Sequence, residues 1–312
     1  MNAKKRRKTI WVATIVAAAV FAVSAIAAGA NVSGYERLKA AGFSLLEQAN
    51  PRTSMNGTYR IAASLSMDGA ELASTESIMQ RDGDHTLAWN TSRDSLGAFA
   101  DRSTTESVTY NDNDVSYYWW QNRDGSTRFS EFQKASTYRY YSYEGYSQAM
   151  SPSERRFVEA LADALVGDTR NYFVTDGNRV SIALSGNQIP ELAQFALAAF
   201  AERFSEDISS SGSFELGADA RFSQASLIVD LDDAGNATGG RAAIGVECTV
   251  NGVASEYMIN IDYDAIDIGT TQVTKPEGSE GGKPPKPAFA NASAATAVAA
   301  ALAAALATTA GA

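Results

Sequence analysis

Runs of alternating apolar and polar residues, closed by Asp-Gly or Asn-Gly pairs, restrict the fold of this chain more than any other feature. In residues 58–67, Tyr59, Ile61, Ala63, Leu65 and Met67 alternate with Arg60, Ser64 and Ser66, the two-residue period of a half-buried strand. Asp68-Gly69, Asp82-Gly83 and Asp124-Gly125 punctuate the region that follows; such pairs tolerate the positive φ of tight hairpin turns. Between them, residues 71–80, 85–92, 102–110, 114–122 and 126–133 read as further strands of one antiparallel sheet. Near the other end, Ala225-Leu227-Val229-Leu231, Ile244-Val246-Cys248-Val250 and Tyr257-Ile259-Ile261-Tyr263 repeat the alternation. Asn251-Gly252 joins the last two and is the strongest short hairpin signal in the chain.

A helical period precedes the strands once and interrupts them twice. Residues 33–48 place Tyr35, Leu38, Gly42 and Leu45 on one side of a short amphipathic helix. Ser151-Pro152-Ser153-Glu154 is a capping box with proline at the first helical position. The predicted helix runs to Val166, buries Phe157, Val158, Leu161 and Leu165, and ends at Gly167. Strands at 172–175 and 179–184 precede a third helix, from Pro190 to about Phe204. Its apolar face, with Leu192, Phe195, Leu197 and Phe200, is wider than one stripe, which suits contact with two surfaces or with a ligand.

Aromatic area is concentrated between Tyr117 and Tyr146, in Tyr117-Tyr118-Trp119-Trp120, Phe129, Phe132, Tyr138, Tyr140, Tyr141, Tyr143 and Tyr146. Three readings stay open for it. The rings fill a core through cross-strand packing, line a cavity for a lipid or other apolar ligand, or form a flat surface for sugar or protein contact. On the cavity reading the lining comprises Tyr117, Trp119, Trp120, Tyr140, Phe157, Leu161, Leu165, Leu192, Phe195 and Phe200.

Charge and chemistry narrow the function classes. The chain carries net charge −10, yet Lys4, Lys5, Arg6, Arg7 and Lys8 are the sole charges in its first thirty residues; the rest holds 21 basic against 36 acidic residues. Such a body repels phosphate backbones, so nucleic acid is not an expected partner. Cys248 alternates with Ile244, Val246 and Val250 and reads as a buried inert thiol. His85 is the single histidine, so a His-based zinc site is not expected and a Ser-His-Asp triad has no marked nucleophile. Asp112-Asn113-Asp114 and the 230–236 segment resemble calcium loops but lack the twelve-residue pattern, and both sit where turns require Asp, Asn and Gly. No glycine-rich phosphate loop follows a strand, so no cofactor is expected. A pair of carboxylates across a cleft would make a hydrolase, though no such pair stands out.

The ends differ from the body. The basic cluster at 4–8 precedes an uncharged run from Thr9 to Tyr35, strongly apolar through Ile26, the pattern of an export signal. Small residues permit cleavage after Ala27 or Ala30, while Ile10 to Ala30 also suffices to span a bilayer as a retained anchor. In either case the acidic body lies outside the cytoplasmic membrane. No cysteine stands directly after the apolar run to take a lipoprotein anchor. Residues 31–273 read as a single domain, 274–287 as a Pro/Gly-rich linker, and 288–312 as an alanine-rich tail.

The resulting order is helix, about six strands, helix, two strands, helix, three strands, an α+β arrangement. It resembles the lipoprotein-carrier fold of the LolA/LolB and LppX/LprG type, shared by the sensor half of RseB-like regulators. That resemblance implies a large curved, half-barrel-like antiparallel sheet with helices packed on its concave face, closing a cavity with residues such as Leu161, Leu165, Leu192 and Phe195. Leu165-Val166-Gly167-Asp168 and Ile189-Pro190-Glu191-Leu192 are also similar to a pattern in exported proteins of Gram-positive bacteria, which implies no particular activity. The expectation is a non-enzymatic exported domain that binds a lipid or lipoprotein, or senses the envelope. The alternatives are a module that contacts an envelope protein or the cell wall, and a carboxylate-based hydrolase.

Overall fold

The computed structural model describes residues 32–48, 56–94, 104–112, 114–121, 126–133, 172–191, 193–195, 219–277 and 282–289, with Ser153, Arg155, Arg156 and Ala160. Helix α1 (Val32–Gln48) precedes β1 (Gly57–Met67), β2 (Ala70–Asp82), β3 (His85–Asp94), β4 (Thr105–Asn111), β5 (Val115–Gln121) and β6 (Thr127–Gln133). Then come β7 (Val174–Asp176), β8 (Arg179–Ser185), a 3-10 turn at Gly186–Gln188, β9 (Arg221–Leu231), β10 (Ala237–Val250) and β11 (Val253–Ile266).

The eleven strands among the described residues form one antiparallel sheet in the order β6-β5-β4-β3-β2-β1-β11-β10-β9-β8-β7. Every neighbour but one is also a neighbour in sequence. The exception is β1 with β11, which pair from Thr58↔Ile266 to Met67↔Tyr257 and join the two meanders in mid-sheet. Two of the turns show why their residues were selected. At Asp68-Gly69 and Asn251-Gly252 both central residues have positive φ (49° and 82°, 52° and 79°), the type I′ geometry that matches strand twist.

Residues directly opposite on paired strands share a face, so the register traces rows across the whole sheet. One row on the back face reads Phe129, Trp119, Val108, Trp89, Ile78, Arg60, Asp264, Gly239, Asp230 and Arg179. It is apolar over β2–β6 and charged from β1 onwards. A row on the front face does the reverse: Trp120, Ser107, Asn90 and Ser77 lead through Ile61 and Tyr263 to Val229 and Val180. The buried side of the sheet therefore changes at β1.

Two cores follow from this. The front core unites Val180, Ile182 and Leu184 of β8 with Ala225 of β9, Ile244 and Val246 of β10, and Ile261 of β11, and takes in Leu38 and Ala41 of α1. Cys248 is buried there. The back core holds Ile78, Leu87, Trp89, Val108, Tyr110, Val115 and Trp119, closed by Val273 and Phe289 from the segment after β11.

The α+β expectation, with helices packed on the concave face of a half-barrel-like sheet, is corrected. The described residues are 62% strand and 13% helix, and the architecture is essentially a single eleven-stranded sheet. The physical reason lies in the back core. Its apolar rows are covered by an extended segment without regular secondary structure, so half of the sheet needs no helix. The predicted helix over 153–166 and most of that over 190–204 lie outside the described residues; Ser153, Arg155, Arg156, Ala160, Glu191, Ala193, Gln194 and Phe195 are helical.

Candidate binding face on the back of the sheet

Strand alternation places Trp89 of β3, Val108 and Tyr110 of β4, Tyr117 and Trp119 of β5, and Phe129 of β6 on the back face. Adjacent rings pack at angles and spacings favoured by their quadrupoles. Tyr117 lies 5.9 Å from Trp119 and 5.6 Å from Phe129, Trp119 lies 5.2 Å from Phe129, and Tyr110 lies 5.7 Å from Tyr117. Trp119 is 2% exposed, and its indole N–H has no acceptor among the described residues. His85 meets the Tyr110 ring edge-on at 6.2 Å.

A strap formed by residues 271–277 and 282–289 runs over this face. Thr271 reaches Thr58 through a buried hydroxyl pair at 3.1 Å, and Val273 and Phe289 enter the back core. Pro284 accepts a 3.0 Å hydrogen bond from the Trp89 indole. All three strap lysines are ion-paired to the sheet: Lys275 to Asp112 at 3.0 Å, Lys283 to Glu106 at 2.5 Å, and Lys286 to Glu76. Lys275 also stands 5.9 Å above the centre of the Tyr117 ring. The described residues of the stretch read as a linker, 274–277 and 282–287, thus carry ion pairs to the sheet.

Asp112 organises one end of this arrangement. One carboxylate oxygen accepts the backbone N–H groups of Asp114 and Val115, both at 2.7 Å, capping the β4–β5 turn. The other accepts the Tyr110 hydroxyl at 3.0 Å and the Lys275 ammonium. Burial pushes this carboxyl up, but those donors outweigh it and hold it well below the usual carboxylate range. The Tyr110 hydroxyl is pushed up, by burial first and then by its hydrogen bond to the Asp112 carboxylate. The aspartate that resembled part of a calcium loop is thus engaged in turn and core.

The other end is an ionic junction at the face change. Arg60 donates to Glu76 at 2.7 Å and to Asp264 at 2.9 Å. Burial opposes ionisation of Glu76, but Lys286 and Arg60 hold its carboxyl below the usual range. Beside this junction an open groove of about 270 Å³ is lined by Arg60, Ser64, Ser74, Glu76, Thr91, Arg93, Asn260 and Asp262 among others. Arg241 donates to Asp262 at 2.6 Å at its margin.

Of the residues singled out from sequence, Tyr117 and Trp119 meet on the back face. Trp120 points to the front, where it stacks on Tyr118 at 5.2 Å. Phe195 is 63% exposed, and its neighbour Gln194 bonds Phe222 of β9 through both amide atoms. The structure does not bring Trp120 or Phe195 to Tyr117 and Trp119. Tyr140, Phe157, Leu161, Leu165, Leu192 and Phe200 lie outside the described residues. Sequence reasoning missed Trp89, Asp112, Val273, Phe289 and the strap lysines as parts of one site. The available signal was three lysines among prolines in a strongly acidic body.

No family model and no curated protein matches the chain. Among solved structures it is similar to a porin-like protein from Bacteroides uniformis ATCC 8492, at 9% identity and TM-score 0.17, over 67% of this chain and 97% of that one. A bifunctional dehydratase-cyclase domain from ambruticin biosynthesis matches at 13% identity and TM-score 0.13, over 71% and 80%. Scores this low carry no argument about fold or function. No helix among the described residues is long and apolar enough to cross a membrane; residues 10–30 are outside them.

Proposed function

We propose that this chain is a non-enzymatic extracytoplasmic module, anchored by its N-terminal segment or released by cleavage, that binds an apolar ligand such as a lipid or senses the envelope through its back face. The observation that carries the reading is the aromatic group Tyr117, Trp119 and Phe129, covered by an irregular strap instead of a strand or helix. Large rings offer an acyl chain extensive contact area, and the buried Trp119 N–H is a donor for a ligand oxygen. Native mass spectrometry of the full chain, extracted gently from a bacterial host, tests it. Lipid adducts that are lost in Tyr117→Ala are expected. A protein that is always empty and takes up no hydrophobic dye would sink the proposal.

A second reading rests on the groove beside Arg60. Its open, mixed-charge lining suits a polar envelope polymer or protein more than a lipid. Arg93 and Asn260 line it without a part in either core. Sedimentation with isolated cell walls should weaken in an Arg93→Glu, Asn260→Ala variant; equal sedimentation of variant and wild type would dismiss the groove.

A further inference from the structure

The attachments of the strap differ along its length. At Thr271 and Val273 it is buried, continuing directly from β11. Beyond that point it is held by Lys275, Lys283 and Lys286, whose side chains remain 46%, 35% and 43% exposed, by the Trp89–Pro284 hydrogen bond, and by the Phe289 ring. Partly exposed ion pairs are weakened by salt and by competing charge, whereas a continuous apolar seam is not. The sheet beneath has its own ladder of backbone hydrogen bonds from β2 to β6, which lifting the strap leaves intact.

From this we infer that residues 275–277 and 282–289 form a releasable ionic latch over the aromatic face. It pivots at Val273 and uncovers Trp89 and Tyr117 when its lysines leave Asp112, Glu106 and Glu76. The inference rests on the lipid-binding reading for its purpose but not for its existence. An acyl chain entering this face would contact the rings that Phe289 and Pro284 now cover.

Hydrogen exchange of the Trp89 indole N–H, followed by NMR in the full chain, reads the latch directly. The charge-reversed variant Lys275→Glu, Lys283→Glu, Lys286→Glu should lose protection at that indole while the backbone amides of β9–β11 keep theirs. The milder Lys283→Gln, Lys286→Gln pair, which leaves the Asp112 node intact, should lose it in part. Lys→Arg replacements at the same positions should retain it. Full protection in both weakened variants would overturn the latch. So would loss of the β9–β11 amides together with the indole, because the strap would then be an integral part of the fold. If the indole opens as expected yet the opened variant gains no lipid or dye over wild type, the latch stands and the lipid-binding reading falls.

Discussion

At the scale of single residues, Asp112 shows how a turn and a tertiary contact share one carboxylate. It is 6% exposed and holds two backbone donors, a tyrosine and a lysine. Hydrogen bonds to a charged group contribute about 1.5–3 kcal/mol each, and removing one partner strands the others. Asp112→Ala should therefore cost roughly 2–4 kcal/mol in urea unfolding, and Asp112→Asn less, since an amide oxygen still accepts from the turn. The sign of its pH dependence follows from the depressed folded-state pKa. Its stabilising contribution is complete above the unfolded value of about 4 and is lost as pH falls towards the folded one. Urea midpoints measured below pH 5 should decline less steeply in Asp112→Asn than in wild type; parallel slopes would remove Asp112 from the account of acid sensitivity.

At the scale of elements, hairpins were the legible part of the sequence and faces were not. Alternation and Asp-Gly or Asn-Gly pairs located β1, β2, β10 and β11 because strand period and turn φ are local properties. At Gly252, with φ of 79°, a side chain adds left-handed strain of roughly 1–2 kcal/mol. Gly252→Val should lower the urea midpoint accordingly, and an unchanged midpoint would deny that this turn matters. What alternation cannot say is which of the two faces is buried. Tyr117 and Trp120 look equivalent in the sequence, yet an odd separation along one strand sends them to opposite sides. Ile78, read against Ser77 and Met79, reveals the back core once its opposite residues Arg60 and Trp89 are known. That pairing is set by distant turns. The strap was illegible for a related reason: Pro and Gly fix its lack of helix or strand, but its binding partners Glu76, Glu106 and Asp112 lie some 160–210 residues earlier in the chain.

At the scale of the molecule, one sheet carries two cores of unequal size on opposite sides. Among the described residues the front core contains 20 buried residues and the back core 8. Full burial of a large apolar side chain contributes about 1.5–3 kcal/mol, so the front half has the larger reserve against denaturant. Among the described residues no fully buried member of either core lies on β1, and the front core reaches β1 and β2 only through half-buried Ala63, Leu65, Met67 and Leu72; the halves communicate through these contacts, the β1–β11 and β1–β2 ladders and the Arg60 junction with Glu76 and Asp264. A protein built this way should open in two steps, since cooperative units coincide with separately packed elements. Trp89, Trp119 and Trp120 all lie in β3 and β5, and the fourth tryptophan is Trp11. In a Trp11→Phe background, tryptophan emission thus reports the β2–β6 half, while far-UV circular dichroism samples every strand. On titration with urea, the emission change should come first, with residual dichroism from β8–β11 persisting to higher concentration. Arg60→Ala, which leaves Glu76 and Asp264 facing each other across the boundary, should widen the gap between the two transitions. Coincident curves in wild type and variant would mean that the ladder through β1 transmits stability fully, and that the change of buried face does not divide the sheet.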